Sequence, residues 1–134
     1  MSTFITGATG FIGSHVLARL IEDGETVHVL SRHVPIDPDH PIGPLVDSRS
    51  MKIFQGDVLD RSSVRRAMMG CDYVYHMAAF AQNWARDPGI FSVVNVGGAV
   101  NVLHARKRND QRSGEPGEYS ENVTSQTCNP RYER

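Results

Sequence analysis

Three glycines near the start of the chain constrain its fold more than any other feature. Residues 3–6 are apolar and β-branched, and they lead directly into Gly7, Gly10 and Gly13. A short run of this kind that ends at a glycine predicts a buried strand. Residues 11–23 predict a helix, because apolar side chains recur there at helical spacing, at Ile12, Val16, Leu17, Leu20 and Ile21. The glycines therefore join a strand to a helix.

Strand-like and helix-like segments continue to alternate as far as residue 106. The patterns predict strands at 3–6, 25–30, 51–55 and 72–77, and helices at 11–23, from a cap at Asp60 or Ser62 to about 69, and at 88–106. The second helix would turn Val64, Ala67 and Met68 inward. Residues 33–50 form a connection without a regular helix, because proline recurs there at Pro35, Pro38, Pro41 and Pro44. This alternation predicts an α/β fold: a Rossmann-type parallel sheet, its first half in strand order 3-2-1-4, with helices on both faces.

The glycine-rich turn has the chemistry of a phosphate site. Gly7 permits a tight turn, Gly10 lets the backbone approach a diphosphate because it has no Cβ, and Gly13 allows close packing of helix and strand. The free N–H groups and the positive dipole end at the start of helix 11–23 would face the phosphates. A plain strand–turn–helix junction of small residues is the alternative, although three glycines would then cost conformational entropy without a structural return.

The same turn resembles the cofactor loop of a known family. Residues 6–13, Thr-Gly-Ala-Thr-Gly-Phe-Ile-Gly, are similar to that loop in the extended short-chain dehydrogenase/reductases. Within them the chain resembles the NAD(P)-dependent epimerase/dehydratase group and its dihydroflavonol-reductase-like members, over residues 3 to about 105. The resemblance implies a dinucleotide cofactor as partner, with loop contacts from Gly7, Thr9, Gly10, Phe11, Ile12 and Gly13.

The residue that follows the second strand bears on the choice of cofactor. An Asp or Glu at the end of this strand would bind the ribose hydroxyls of NAD, but Ser31 and Arg32 stand there. A guanidinium can pair with a 2′-phosphate and stack on adenine. Arg32 therefore favours NADP, with NAD the less favoured cofactor and a solvated surface arginine the alternative role.

Two further short segments resemble the family and lie at the matching places in the chain. Asp57 and Val58 follow the third strand. There the resemblance implies that the aspartate accepts a hydrogen bond from the adenine amine and that the backbone of the next residue frames the ring. An aspartate at this place could instead cap the next turn. Ala78 and Ala79 close a His-x-Ala-Ala segment, in which the resemblance implies small residues against the nicotinamide-side ribose.

Three conspicuous residues have a predicted supporting role. His76 ends the fourth strand, and we interpret it as structural rather than catalytic, because no Ser or Cys nucleophile stands in a recognisable arrangement with it. Asn95 belongs to an Asn-x-x-Gly pattern that resembles the family's, and it is predicted to brace the active-site wall, with Gly97 and Gly98 packing closely against the sheet. Trp84 is predicted to be a packing residue in a loop over the site.

The catalytic pair of the family is absent from these 134 residues. The family's enzymes use a Tyr-x-x-x-Lys pair, in which the lysine lowers the pKa of the tyrosine. The two lysines here are Lys52 and Lys107, and the residues four places before them are Ser48 and Leu103. We therefore predict no catalytic residue, no metal site and no turnover by this chain alone.

Three functional hypotheses follow. The first is a truncated relative of an NADP-dependent reductase that retains part of the cofactor site. The second is a non-catalytic module that senses NADP or binds a nucleotide. The third is a non-functional gene product, in which the fourth strand would be an exposed apolar edge and an aggregation hazard.

Composition divides the chain into two parts. Residues 1–105 form the predicted partial NAD(P)-binding domain, whereas 106–134 are predicted to be a polar, disordered tail, with only Tyr119, Val123, Cys128 and Tyr132 from the hydrophobic set. The net charge of −1 favours neither nucleic acid nor a membrane surface as a partner. Without a recognisable secretory pattern, and with two cysteines, we expect free thiols and a cytoplasmic location. The pattern leaves the oligomeric state open.

Overall fold

The computed structural model describes residues 1–34, 39–46 and 48–113. Its sheet has four parallel strands, β1 (Ser2–Thr6), β2 (Thr26–Ser31), β3 (Met51–Gln55) and β4 (Tyr73–His76). They are hydrogen-bonded in the order β3-β2-β1-β4, so the predicted order 3-2-1-4 is confirmed. The strand bounds depart from the predicted ones by at most one residue at each end.

The helices follow the amphipathic patterns. Helices α1 (Phe11–Glu22) and α2 (Arg61–Met68) come after β1 and β3. Helix α3 (Gly89–Phe91) continues through a π-helical segment, Ser92–Val96, into α4 (Gly97–Ser113). The proline-rich connection holds a 3-10 turn, Gly43–Leu45, and its residues 35–38 and 47 lie outside the described part. Among the described residues, no helix combines the length and the apolar character that crossing a bilayer requires.

Two hydrophobic cores cover the two faces of the sheet. Successive side chains of a strand point to opposite faces, and on β1 this separates Phe4 from Ile5. Phe4 packs with side chains of α2 and α4, including the predicted inward residues of α2, and Ile5 packs with side chains of α1. Both are 0% exposed. The prediction of helices on both faces is therefore confirmed.

Two apolar residues on the α1 side depart from the sequence pattern. Ile12, which belongs to the predicted apolar stripe of α1, is 68% exposed, whereas Leu17 and Leu20 are buried. The first turn of α1 lies beyond the carboxyl end of β1, so the sheet does not extend beneath Ile12. Ile42 has no periodic neighbours in the proline-rich connection, yet it is fully buried in the core that contains Ile5.

Asp60 and Gly24 mark helix ends by their local chemistry. The Asp60 carboxylate accepts hydrogen bonds from the backbone N–H groups of Ser62 and Ser63, at 3.0 and 3.3 Å, and caps α2. The hydroxyls of Ser63 and Ser62, followed by the Ser62 N–H, lower the pKa of Asp60 to about 2. Gly24 follows α1 with φ +81°, the left-handed conformation expected of a helix stop.

The last helix is longer and less regular than the pattern predicts. A regular helix over 88–106 is expected, but α4 extends to Ser113 and the π-helical segment precedes it. The side chains of Arg106 and Asn109 donate hydrogen bonds to the carbonyl oxygen of Cys71, at 3.2 and 2.9 Å. These tertiary contacts hold turns whose own composition is polar. The predicted start of the tail at residue 106 is thus too early, and residues 114–134, with Cys128, lie outside the described part.

Cys71 is a free and buried thiol, as expected. Its Sγ lies 3.3 Å from Nδ1 of His28, which in turn lies 2.8 Å from the carbonyl oxygen of Ala67. Burial, and then the charge of Asp72, raises the pKa of Cys71 to about 11. Because the thiolate is the reactive form, this cysteine has a structural environment rather than that of a nucleophile.

Candidate functional site

A cavity of about 680 Å³ lies at the carboxyl ends of the strands. Each strand contributes residues that follow it: Gly7 after β1, Arg32 after β2, Asp57 after β3 and Ala78 after β4. The strand order reverses at β1, which has β2 on one side and β4 on the other. Ligands of open α/β sheets bind in the crevice at this reversal. The cavity therefore occupies the position that the fold makes available for a ligand.

Eight of the twelve predicted site residues line this cavity: Gly7, Thr9, Gly10, Arg32, Asp57, Val58, Ala78 and Ala79. The other four, Phe11, Ile12, Gly13 and Asn95, are not part of its wall. The side chain of Phe11 is 81% exposed. Phe11 and Ile12 offer a ligand their backbone N–H groups in the first turn of α1, where such groups lack a partner within the helix.

Each of the three positions in the turn is occupied by glycine for a different steric reason. Gly7 has φ +75°, and a Cβ there would lie 2.5 Å from the carbonyl carbon of Met77. A Cβ on Gly13 would lie 2.0 Å from the carbonyl oxygen of Gly7. Gly10 is different, because its Cβ would meet that oxygen at 3.4 Å and nothing closer. The fold itself requires Gly7 and Gly13, whereas Gly10 leaves open space where the main chain borders the cavity.

His76 joins the carboxyl ends of β1 and β4. The Thr6 hydroxyl lies 2.7 Å from Nδ1 of His76 and accepts a hydrogen bond from the Ala78 N–H at 3.2 Å. The hydroxyl hydrogen can then point to Nδ1, which acts as the hydrogen-bond acceptor. In a neutral ring the single N–H is therefore on Nε2. Burial lowers the pKa of His76 and favours this neutral form. The histidine is outside the cavity wall, so its contacts agree with the structural interpretation.

Asp57 and Asn95 hold two walls of the cavity in place. Oδ1 of Asp57 accepts a hydrogen bond from the Leu59 N–H at 2.9 Å, so this side chain caps the turn after β3 while also lining the cavity. The Asn95 side chain makes hydrogen bonds with both backbone polar groups of Phe80. Its Oδ1 accepts from the Phe80 N–H at 2.7 Å, and its Nδ2 donates to the Phe80 carbonyl oxygen at 3.3 Å. The bracing predicted for Asn95 therefore acts through Phe80.

Two predictions near α4 are corrected. Trp84 is 74% exposed and is not a packing residue, because the loop that carries it lies on the surface beside the cavity. Gly98 packs on the turn after β3 as well as on the sheet, because a Cβ there would lie 3.1 Å from Cγ2 of Val58 and 3.8 Å from Cε1 of His76, whereas Gly97 faces only Leu59 of that turn. The turn after β3 thus lies against the start of α4.

Ten further residues line the cavity, although the sequence patterns do not single them out as site residues. Some flank predicted residues in the chain and could have been found by extending the motifs by one position, such as Ser31, Gly56 and Met77. Others lie in segments without any motif, and only folding brings them to the cavity. These are His40 in the proline-rich connection and Ile90 near the start of the last helix, whereas His33 and Val94 stand next to Arg32 and Asn95.

Known proteins with similar sequences extend the resemblance to most of the chain. The model of the NAD dependent epimerase/dehydratase family matches residues 3–114, which passes the end of the resemblance expected at about residue 105. The 2-alkyl-3-oxoalkanoate reductase of Shewanella oneidensis is 35% identical over 104 residues, covering 78% of this chain and 24% of that protein. The UDP-glucose 4-epimerase of Rickettsia canadensis is 38% identical over 112 residues, covering 78% and 32%.

Solved structures share the same architecture. The UDP-glucose 4-epimerase of Thermus thermophilus, in complex with NAD, has a TM-score of 0.66 at 29% identity, covering 81% of this chain and 34% of that one. The enzyme WbmH of Bordetella bronchiseptica, in complex with NAD⁺, has a TM-score of 0.67 at 29% identity, covering 81% and 36%. This chain spans about a quarter to a third of the length of the proteins it matches. By the match over residues 3–114, the chain belongs to the NAD dependent epimerase/dehydratase family.

Proposed function

We propose that this chain binds a dinucleotide in the cavity at the carboxyl ends of the strands, with the diphosphate against the main chain of Gly7–Gly13. The observation that carries the proposal is the difference among the three glycines. Gly7 and Gly13 are required by backbone contacts, but Gly10 leaves its Cβ position vacant beside the cavity. A vacant Cβ position next to the start of a helix is what close approach of a phosphate needs.

The rest of the cavity wall fits the two halves of such a molecule. Asp57 and Val58 stand at the β3 side, where we place the adenine. Ala78 and Ala79 stand at the β4 side, where their small side chains leave room for the nicotinamide-side ribose. A bound nicotinamide would supply hydride transfer, and the residues named here would bind and orient it. Asp57 already accepts one hydrogen bond through Oδ1 and is thereby held in position at the cavity.

The Gly10→Ala variant tests the diphosphate position. Its methyl group would occupy the space beside the cavity, so we expect affinity for the dinucleotide to fall by at least about tenfold, which corresponds to about 1.4 kcal/mol. The backbone of Gly10, at φ −83° and ψ 174°, is open to alanine, so the fold should persist. Isothermal titration calorimetry with NADP and NAD measures the affinity, and circular dichroism checks the fold.

Gly97→Ala is the matched control for this substitution. Gly97 lies outside the cavity wall, and a Cβ there would meet the Leu59 side chain at an ordinary 3.4 Å. We expect this variant to bind as the unchanged protein does. Equal affinities for the unchanged protein and Gly10→Ala would refute the diphosphate position, and no heat of binding in the unchanged protein would refute the proposed function altogether.

We also propose that the cofactor is NADP, on the strength of Arg32. This exposed arginine lines the cavity directly after β2, where a 2′-phosphate would be in reach of its guanidinium. Hydrogen bonds to a charged group contribute roughly 1.5–3 kcal/mol. Arg32→Gln should therefore weaken NADP binding by roughly ten- to hundredfold and leave NAD binding nearly unchanged.

Arg19→Gln is the control for loss of a positive charge. Arg19 lies on the exposed side of α1, where it pairs with Asp23 at 3.1 Å, and it is not part of the cavity wall. Both variants are titrated calorimetrically with NADP and with NAD. If Arg32→Gln changes the two affinities equally, the arginine is a solvated surface residue and the preference for NADP is wrong.

We propose that this chain binds and orients the cofactor, and we assign it no catalytic step. These 134 residues contain no Tyr-x-x-x-Lys pair, and the chain spans only part of the length of its relatives. We therefore propose that reductase or epimerase turnover requires residues that these 134 do not include. A cytoplasmic location is likewise our proposal, supported by Cys71 as a free thiol.

A further inference from the structure

A second, more open cavity of about 480 Å³ adjoins the dinucleotide cavity. Phe80 and Ile90 line both cavities, so the two cavities share a wall. Trp84 and Ala85 extend this apolar wall along the loop between β4 and α3. The polar residues around it are Gln82, Arg86 and Asp87. An apolar wall with a few polar groups is typical of sites for small molecules.

The wall shared by the two cavities is held rigidly. Asn95 bonds both backbone polar groups of Phe80, at 2.7 and 3.3 Å. The Phe80 ring also packs edge-to-face against Phe91, with the ring centroids 5.1 Å apart. A ring that is positioned before a ligand arrives contributes to affinity because less freedom is lost on binding.

Phe80 is held in place by its contacts, whereas Trp84 on the same loop has most of its surface exposed. An indole ring offers one of the largest apolar surfaces of any side chain, and its N–H is a hydrogen-bond donor. Asp87, the carboxylate on this loop, accepts a hydrogen bond from the Gly89 N–H at 2.9 Å and thereby marks the start of α3. Trp84 and Phe80 carry the two aromatic rings among the residues that line the second cavity.

The position of this cavity relates it to the reacting end of the cofactor. Ala78 and Ala79, where we place the nicotinamide-side ribose, immediately precede Phe80 in the chain. The second cavity thus begins where the nicotinamide would end. A molecule that reacts with the nicotinamide must extend away from it, and the apolar wall of the second cavity is the adjoining surface.

We propose that the second cavity takes the apolar body of the substrate, an aliphatic or ring-containing carbonyl or alcohol compound, between Trp84 and Phe80. This inference rests on the proposed dinucleotide site. It assigns to Trp84 and Phe80 the selection of apolar over polar substrates.

The chain contains one tryptophan, so its fluorescence reports on Trp84 alone. With the protein saturated with NADP, we titrate octan-2-one as the apolar probe and 1,3-dihydroxyacetone as the polar one. Octan-2-one should shift the emission to the blue and protect Trp84 from quenching by acrylamide, whereas dihydroxyacetone should do neither. Phe80→Ala should weaken the octan-2-one response by about tenfold. Leu103→Ala, an exposed apolar residue outside both cavities, should leave it unchanged.

The possible outcomes separate this inference from the proposed function. Equal protection by the two probes, or an octan-2-one response that Phe80→Ala leaves intact, would overturn the assignment of an apolar site. Binding of NADP without any response of Trp84 to octan-2-one would overturn the second cavity as a substrate site while leaving the dinucleotide site standing. Absence of NADP binding in calorimetry would instead remove the proposed function on which the inference rests.

Discussion

A Gly13→Ala variant is expected to lose at least about 3 kcal/mol of its free energy of unfolding, the upper end of what overpacking usually costs. The added Cβ would lie 2.0 Å from the Gly7 carbonyl oxygen and 2.7 Å from the Gly7 carbonyl carbon. Both atoms belong to the backbone of a turn that is itself pressed against Met77, so neither can move aside as a flexible side chain would. Urea denaturation followed by far-ultraviolet circular dichroism measures the loss.

Gly97→Ala provides the comparison for Gly13→Ala as well. Both glycines lie within helices, but the Cβ of Gly97 would meet only a Leu59 methyl group, at 3.4 Å. Replacing a helical glycine by alanine without a clash stabilises a helix by up to about 1 kcal/mol. The two variants should therefore move the unfolding midpoint in opposite directions. A midpoint for Gly13→Ala at or above that of the unchanged protein would contradict the close packing of the turn.

Phe4→Ala is expected to lower the free energy of unfolding by about 3–5 kcal/mol, as large-to-small substitutions of buried aromatic residues do. Phe4 lies on a central strand with 0% exposure and packs with Val64, Met68 and Val102 in the core beneath α2 and α4. Its loss removes apolar contacts with two helices at once and leaves a cavity that backbone hydrogen bonds prevent from closing. The free energy of unfolding of a typical domain is only about 5–15 kcal/mol in total, so this variant should be close to unfolding.

Phe11→Ala is the matched control for Phe4→Ala, since the same side chain is removed from a position that is 81% exposed. Its ring contacts His15, with the centroids 5.1 Å apart, and otherwise faces solvent. A surface change of this kind usually alters stability by less than about 0.5 kcal/mol. Thermal and urea unfolding of the two variants should thus differ widely. Similar losses in both would mean that burial on β1 is not what stabilises the sheet.

The fold is largely predictable from the sequence because its signals are short-range. Strand β1, the glycine turn and α1 follow one another within 22 residues, and each is determined by local backbone preference and apolar spacing. Asp60 and Gly24 mark helix ends through hydrogen bonds to residues two or three places away. The strand order then follows from the right-handed crossovers of parallel strands.

The candidate site is predictable where its residues follow the strands directly. Gly10, Arg32, Asp57 and Ala78 all come just after a strand, so the parallel sheet collects them at one edge. His40 and Ile90 reach the same cavity from segments whose sequence carries no motif. Their positions depend on how the connection after β2 and the loop after β4 fold back over the sheet, and no local pattern encodes that path.

The sequence by itself determined the alternation of strands and helices, the places of the three loop glycines and the edge of the sheet at which a ligand can bind, because each depends on neighbouring residues. Only the tertiary structure decided that Ile42 is buried, that Trp84 is exposed and that α4 continues past Arg106. Ile42 is buried by a core that distant residues build, and the end of α4 is held by hydrogen bonds to the carbonyl oxygen of Cys71. Such contacts join residues far apart in the chain, so their strength appears only once the chain has folded.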